Sequence, residues 1–229
     1  NLFLGVFNRI LSLSFLLFAS LGASAQKPES FAVSLYQQSM AGSQHLYNGS
    51  EFIPYRSVKD EHPYFLHDAL IKGSIKYDGL WYTSVPMRFD IERNALIIEY
   101  YYNTFLLELA VPKIEEFIIE DKRFVNIKPE SNSGLSPGFY EVLYIGKSSL
   151  FRLWIKTLHE TIVDNEIKRS YKVSEEYYVV MKSIAHKVSG MRGLSGLMED
   201  KKKDIKVFLK TNRNASMSGL LGYYDSLNP

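Results

Sequence analysis

The chain has 229 residues, of which 46% are hydrophobic and 23% are charged, with a formal net charge of +2 and no cysteine. This composition excludes an intrinsically disordered chain, a collagen-like repeat and a multi-pass membrane protein. The lack of cysteine excludes a disulfide framework, a cysteine-ligated zinc site, a thiol nucleophile and a lipid-anchoring cysteine. The near-neutral charge gives no overall field for binding nucleic acid.

The first 25 residues have the pattern of a secretory signal peptide. An apolar run over residues 10–21 follows Arg9, and the small residues Ala23-Ser24-Ala25 come next. Signal peptidase accepts small residues in this arrangement, so we expect cleavage before Gln26. The alternative is an uncleaved anchor, but Arg9 would cost about 2.5–3.5 kcal/mol at the membrane centre. We therefore expect an exported protein, periplasmic or extracellular, with no stable membrane span after cleavage.

From about residue 70 the sequence alternates with a period of two, which is typical of strands with one buried face. The first such strand is predicted over residues 70–77 and the second over residues 80–90. In the second strand Trp81 and Phe89 are predicted to point inward, while Tyr82, Arg88 and Asp90 point outward to solvent.

The turn between these two strands has two possible registers. A two-residue loop at Asp78-Gly79 would pair Ile75 with Tyr82 and so set an apolar face against a polar one. A three-residue loop over residues 77–79 would instead pair Ile75 with Trp81. We expect the second register because it aligns the buried faces, and Gly79 reaches positive φ without a Cβ clash.

Two further hairpins follow along the chain. A four-residue loop over residues 91–94 is expected to set Phe89 opposite Leu96. After the next strand, a turn at Asn103-Thr104 would place Glu99 opposite Glu108, which is unfavourable, whereas a four-residue loop avoids that pair; the register stays open. Inward positions are assigned to Leu96, Ile98, Tyr100, Tyr102, Phe105, Leu107, Leu109 and Val111.

The remaining elements complete a mainly β (α+β) fold. Strands in hairpin order predict an antiparallel meander that forms a curved sheet, a partial barrel or a sandwich. Apolar residues at helical spacing follow at the C-terminus, with Asp200 as an expected N-cap and a further helix after Ser216. We expect a β domain over residues 26–187 and a helical hairpin over residues 188–229 that packs on it. The other predicted strands cover residues 95–102, 105–111, 114–119, 123–127, 139–145, 150–158, 169–173 and 177–182, with a loop over 128–137.

Residues 60–68 concentrate the residues that could hold a metal ion. The segment contains two imidazoles, His62 and His67, and three carboxylates, one of them Asp68. Neutral imidazole and carboxylate are zinc ligands. However, Pro63 prevents a helix that would place them on one face, and a spacing of five residues is not a metal-site template. We expect a solvated loop and no metal or other cofactor; His62, His67 and Asp68 are the residues that a metal would have to use.

Other polar and aromatic residues suggest binding surfaces. Aromatic rings can stack on sugar faces, and Tyr82 and Tyr101 are predicted to point outward. With Arg88 they are the candidate ligand-binding residues. The basic run over residues 201–203, continued by Lys206 and Lys210, is the expected contact for an envelope protein partner.

Five segments resemble a group of secreted, uncharacterised proteins of Bacteroidota-type bacteria. The resemblance implies an exported bacterial protein and transfers no catalytic residue. It covers nearly all of the mature chain, and the segments that carry it are Leu46-Tyr47-Asn48-Gly49-Ser50-Glu51-Phe52, Gly73-Ser74-Ile75-Lys76-Tyr77-Asp78-Gly79, Val85-Pro86-Met87-Arg88-Phe89-Asp90-Ile91, Lys201-Lys202-Lys203-Asp204-Ile205-Lys206-Val207-Phe208 and Tyr223-Tyr224-Asp225-Ser226-Leu227.

Functional motifs of common enzyme classes are missing from the sequence. It contains no G-x-S-x-G, phosphate-binding loop, H-E-x-x-H or dinucleotide fingerprint. The leading hypothesis is a non-enzymatic binding or structural module of the bacterial cell envelope. One alternative is a carrier of a lipid or other apolar ligand, with a dry cavity lined by Trp81, Phe89, Tyr100 and Leu107. The other is an envelope hydrolase that uses His62 and His67.

Overall fold

A computed structural model describes residues 45–54, 58, 61–100, 105–131 and 134–228. The predicted signal peptide, Tyr101 and Tyr102 lie outside the described residues. Within them, the chain forms an open, curved antiparallel sheet of eleven strands, which confirms the predicted fold class.

The strands lie in the order β1-β5-β4-β3-β2-β6-β7-β8-β9-β10-β11, so from β6 onward each strand pairs with the next one along the chain. Hairpin connections of this kind are the common way to build an antiparallel sheet. The strands are β1 (Gly49–Glu51), β2 (Ile71–Tyr77), β3 (Leu80–Asp90), β4 (Ala95–Glu99), β5 (Leu106–Leu109), β6 (Ile114–Ile119), β7 (Lys122–Ile127), β8 (Gly138–Ile145), β9 (Ser149–Val163), β10 (Glu166–Met181) and β11 (Ile184–Val188).

Three short α-helices follow the last strand, α1 (Met191–Gly196), α2 (Lys202–Thr211) and α3 (Met217–Leu227), and a 3-10 turn at Glu199–Lys201 leads into α2. Ser216 caps α3 by accepting a hydrogen bond from the amide of Gly219 (3.0 Å). The expected N-cap role of Asp200 is wrong, because its carboxylate instead accepts a hydrogen bond from the hydroxyl of Tyr224 on α3 (3.2 Å). None of the described helices is long and apolar enough to cross a membrane.

The helices and the sheet bury two separate groups of apolar side chains on the inner face. The first is rich in phenylalanine and fills the curve of β2–β8. The second joins Leu150 of β9, Val179 of β10 and Val188 of β11 to the three helices. Asp225 fixes α3 to the β8–β9 turn, accepting hydrogen bonds from the amide of Ser148 (2.9 Å) and the hydroxyl of Tyr144 (3.1 Å).

The register of β2 and β3 differs from the prediction. The turn has two residues, Asp78 and Gly79, both at positive φ (52° and 81°), and it pairs Ile75 with Tyr82. Such turns match the twist of a hairpin and are favoured for that reason. A bulge between this pair and the Gly73–Val85 pair then realigns the two faces, with Ser84 at φ 57°.

The bulge reverses two inward and outward assignments. Val85, Met87 and Phe89 lie beyond it and are buried as predicted. Trp81 lies before it and is 49% exposed, so its inward assignment is wrong, while Tyr82 packs against the inner core.

In the next two hairpins, the strand pairing keeps the apolar residues predicted to point inward on the same face of the sheet. Phe89 pairs with Leu96 across the four-residue turn, as expected. Glu99 pairs with Leu106 and not with Glu108, so the register of β4 and β5 is the one that avoids two facing carboxylates. Phe105 was assigned inward but is 41% exposed, because β5 begins only after it.

β9 and β10 form a much longer hairpin than the sequence predicts. The predicted strands over 169–173 and 177–182 belong to the single strand β10, which pairs with β9 all the way to the turn at Asp164-Asn165. Both turn residues have positive φ (52° and 62°). A second two-residue turn at Lys182-Ser183 leads into β11, a strand that is not among the predicted ones.

The inner face depends on close approach of the backbone at Gly73. A Cβ there would lie 2.4 Å from the carbonyl oxygen of Ile118 and 2.9 Å from the sulfur of Met87. We predict that Gly73→Ala lowers the free energy of unfolding by about 1–3 kcal/mol, because the fixed sheet cannot make room for the methyl group. Urea denaturation measures this effect.

Gly196→Ala is the matched control, since a Cβ at Gly196 meets no atom within 4 Å. It should leave the free energy of unfolding unchanged or slightly raised. Equal effects of the two substitutions would show that the contact at Gly73 does not limit the packing.

Candidate functional site

Residues 61–68, called the clasp, run antiparallel to the end of β3 and beside it, with Tyr64 opposite Asp90. β2 begins only at Ile71, and the clasp takes its place as the neighbour of β3 beyond that point. The amide of Phe65 donates to the carbonyl of Phe89 (2.7 Å), and the amide of Ile91 donates to the carbonyl of Pro63 (3.2 Å). The expectation of a solvated loop is wrong for the centre of the clasp, where Pro63, Tyr64 and Phe65 are buried.

Phe65 anchors the clasp in the inner core. Its ring lies 5.2 Å from the rings of Phe124 and Trp154, edge-on to both. Aromatic pairs in this arrangement gain about 0.5–1.5 kcal/mol beyond the apolar area they bury. The clasp is therefore part of the packed structure.

Arg88 holds the clasp from the outer face of β3. Its guanidinium donates to the carbonyl oxygen (3.0 Å) and to the carboxylate (3.2 Å) of Asp68. The same group lies 4.0 Å from the centre of the Tyr64 ring and 5.5 Å from that of Phe52. The predicted outward, solvated position is wrong for both Arg88 and Asp90: 13% of the Arg88 side chain is exposed, and Asp90 is fully buried. Both are covered because the clasp lies over this end of β3.

The long β9–β10 hairpin holds the other side of the clasp. The ammonium of Lys156 donates to the carbonyl of Tyr64 (3.0 Å), and the amide of Tyr171 donates to the carboxylate of Glu61. Burial lowers the pKa of Lys156, while Glu61 and Asp90 act against that shift. The charged groups around the clasp bond to other parts of the same chain, and these bonds hold the clasp against β3 and the β9–β10 hairpin.

The histidines of the clasp lie in different surroundings. His62 stacks on Tyr64 with 5.8 Å between the ring centres, and its Nδ1 is buried with no hydrogen-bond partner among the described residues. His67 lies 3.2 Å from the carboxylate of Glu120 instead. With Asp68 bound to Arg88, the described residues contain no group of three side chains placed to hold a metal ion.

The two tyrosines predicted to bind a ligand are not both described. The hydroxyl of Tyr82 is buried and has no hydrogen-bond partner among the described residues, and its ring packs on the core. The ring is half-buried against the core and does not stand outward as predicted, while its role in binding a ligand stays a prediction. The prediction for Tyr101 lies outside the described residues.

A charged network lies on the inner face between the two apolar cores. Both carboxylate oxygens of Glu141 accept hydrogen bonds from Arg152 (2.8 and 2.9 Å), and one also accepts from the indole of Trp154 (2.7 Å). Arg152 also donates to Glu175 (3.2 Å). A buried charge is tolerated when it is paired and hydrogen-bonded in this way.

The arm, residues 153–176, is the part of the β9–β10 hairpin that extends past its neighbours. Within the described sheet, residues 153–163 and 166–176 pair only with each other. At about 3.3 Å per residue, the arm is roughly 33 Å long. Its base covers the clasp, but both faces of its tip, residues 159–170, are open to solvent.

The arm tip carries an exposed apolar pair. Ile162 is 77% exposed and pairs directly with Ile167, which is 57% exposed; Val163 beside them is 39% exposed. Next to the pair, Glu160 and Arg169 form a salt bridge (2.6 Å). Adjacent exposed apolar residues with a polar rim are typical of an interaction surface.

The arm is absent from the predicted strands, although the sequence contains a signal for it. Ile162 and Ile167 flank the turn-forming pair Asp164-Asn165, and strands predicted up to that pair on both sides would have closed into one hairpin. The alternation of polar and apolar residues is weak there, because no buried face requires it.

We predict that Glu141→Gln lowers the free energy of unfolding by about 3 kcal/mol. The amide keeps the shape of the side chain but leaves the charge of Arg152 without its buried partner. Glu160→Gln, which breaks the exposed pair with Arg169, should cost less than about 1 kcal/mol. Chemical denaturation of both variants tests the difference, and equal losses would contradict a structural role for the Glu141 network.

His62 should make the protein less stable as the pH falls below about 6.5. Burial, with a smaller contribution from Lys156, lowers the pKa of His62 in the folded chain. The unfolded chain therefore takes up the proton first as the pH falls, and the free energy of unfolding decreases. We predict that His62→Gln reduces this pH dependence, measured by urea denaturation between pH 5 and 7.5.

His159→Gln on the exposed arm tip is the control for this measurement, and it should keep the pH dependence of the natural chain. If His62→Gln also kept the pH dependence of the free energy of unfolding, burial of the His62 imidazole would not be the cause of that dependence.

Comparison with known proteins gives no relative from which a function could be transferred. No family model matches the chain, and neither a curated protein nor a solved structure matches it. The resemblance to secreted proteins of Bacteroidota-type bacteria stays a prediction.

Proposed function

We propose that this protein is a non-enzymatic binding module of the bacterial cell envelope, and that its arm tip binds an extended strand of a protein partner. One observation carries the proposal: the tip exposes both of its faces and still carries the apolar pair Ile162 and Ile167. The envelope location rests on the predicted signal peptide and on the resemblance.

Strand addition suits the arm because both of its edges are open. Beyond the clasp, the backbone amides and carbonyls along each outer edge of the tip have no neighbouring strand among the described residues. An extended segment of a partner can use those groups as hydrogen-bond partners, while side-chain contacts provide specificity. Ile162 and Ile167 would contact the partner's apolar side chains.

The rival functions find less support in the described residues. Phe89 and Leu107, two of the residues that a carrier cavity would need, are buried in the inner core, and Trp81 faces outward. The two histidines that a hydrolase would use have separate partners, Tyr64 and Glu120. The expected protein partner at the basic C-terminal helices stays a prediction; the arm tip is the better candidate because it offers apolar area.

The test is site-specific photo-crosslinking in cells that produce the protein. A photoreactive residue at position 162 should give a crosslinked adduct with one defined envelope protein. The same residue at Ile184, which is 58% exposed on β11, is the matched control and should give none. Absence of an adduct at 162, or an adduct only with a second copy of the chain, would contradict the proposal.

A second variant separates binding from folding. Ile162→Thr with Ile167→Thr keeps residues that favour strands and removes the apolar pair. We predict loss of partner crosslinking from a neighbouring position, Thr161, with the free energy of unfolding changed by less than about 0.5 kcal/mol, since both side chains are exposed. Persistent crosslinking would show that the apolar pair is not the contact.

A further inference from the structure

A groove of about 310 Å³ lies between α1 and α2, on the second apolar core. Arg192 of α1 forms one wall, and Lys202 and Lys206 of α2 form the other. The two lysines are four residues apart and so lie on the same side of their helix. The groove has the size of a small-ligand site.

The charges around the groove are unbalanced. Arg192, Lys202 and Lys206 face a single carboxylate, Glu199, and none of these four side chains forms an ion pair with a described residue. On the sheet, by contrast, Lys187 forms an ion pair with Glu176 (2.6 Å) and Lys76 forms one with Glu115 (2.6 Å). Three cations held around one concavity create a positive potential that favours an anion.

The floor of the groove is apolar. It is formed by Ile205, which is 3% exposed, and by the half-buried Leu209. A fully hydrated ion would leave this surface unused, whereas a molecule with both an anionic group and an alkyl chain would contact both parts of the site.

We propose that the α1–α2 groove binds an anionic amphiphile. Its phosphate or carboxylate headgroup would lie between Arg192, Lys202 and Lys206, and its first methylene groups would lie over Ile205 and Leu209. The headgroup can belong to a free amphiphile or to a membrane lipid, and both present the same chemistry. This site is independent of the arm and of any protein that the arm binds.

The test is calorimetric titration of the full chain with dodecyl phosphate below its micelle concentration. We expect one molecule bound per chain, and at least tenfold weaker binding for the variant Arg192→Gln/Lys206→Gln. Lys203→Gln is the control: Lys203 is exposed on α2 but does not line the groove, so binding should change less than twofold. Circular dichroism checks that all three proteins keep the fold.

Three results would overturn the proposal. The first is no binding of dodecyl phosphate. The second is an equal loss for Lys203→Gln, which would indicate a diffuse charge effect. The third is binding of inorganic phosphate as tight as that of dodecyl phosphate, which would show that the apolar floor is not used.

Vesicles distinguish the two sources of the amphiphile. Flotation with phosphatidylcholine vesicles that contain phosphatidylglycerol, lost in Arg192→Gln/Lys206→Gln, would support a membrane lipid as the ligand. Binding of dodecyl phosphate without flotation would support a free amphiphile. Both outcomes support the groove as the site.

Discussion

The packing of phenylalanine around Phe89 is the interaction on which the structure depends. The rings of Phe117, Phe124 and Phe139 lie 5.2–5.6 Å from it, and that of Phe65 lies 6.4 Å away. These rings come from the clasp and from four strands, so their contact requires one face of each strand to stay continuous across the sheet. The bulge in β3 preserves that continuity across the tight Asp78-Gly79 turn, and the clasp closes the gap that β2 leaves beside β3.

Because packed side chains fill the inner face of the sheet, the candidate binding surfaces lie outside it, at the arm tip and at the α1–α2 groove. The Glu141–Arg152 network separates the phenylalanine core from the helical core and uses its charges within the chain. Lys156 and Arg88 likewise bind the clasp. Among the described residues, the arm tip presents apolar area that nothing covers, and the α1–α2 groove presents cations that form no ion pair. We propose a protein strand as the ligand of the first surface and an anionic amphiphile as the ligand of the second, and the two surfaces lie on separate elements.

The sequence predicted what alternation alone determines, namely the positions of β2 to β8, the burial of Met87 and Phe89, and the pairing across the 91–94 turn. The exposure of Trp81 could not be predicted. It results from a two-residue turn followed by a bulge in β3, and the alternation of polar and apolar residues does not show where a bulge occurs. The burial of Tyr64 and Phe65 was missed for a different reason: charged neighbours make the clasp look solvated, and its cover comes from residues far along the chain. The arm tip has no buried face, and so its alternation carries little signal.

Hydrogen–deuterium exchange of the isolated chain tests most directly whether the arm tip is free while the inner face is closed. Amides of β6, β7 and the first half of β9 should exchange only when the whole chain unfolds, since they line the two cores. Amides of residues 159–170 should exchange through local opening, at a free energy well below that of global unfolding. Exchange of the tip as slow as that of β6 and β7 would show that the arm packs on another part of the protein, and the account of a free binding arm would then be wrong.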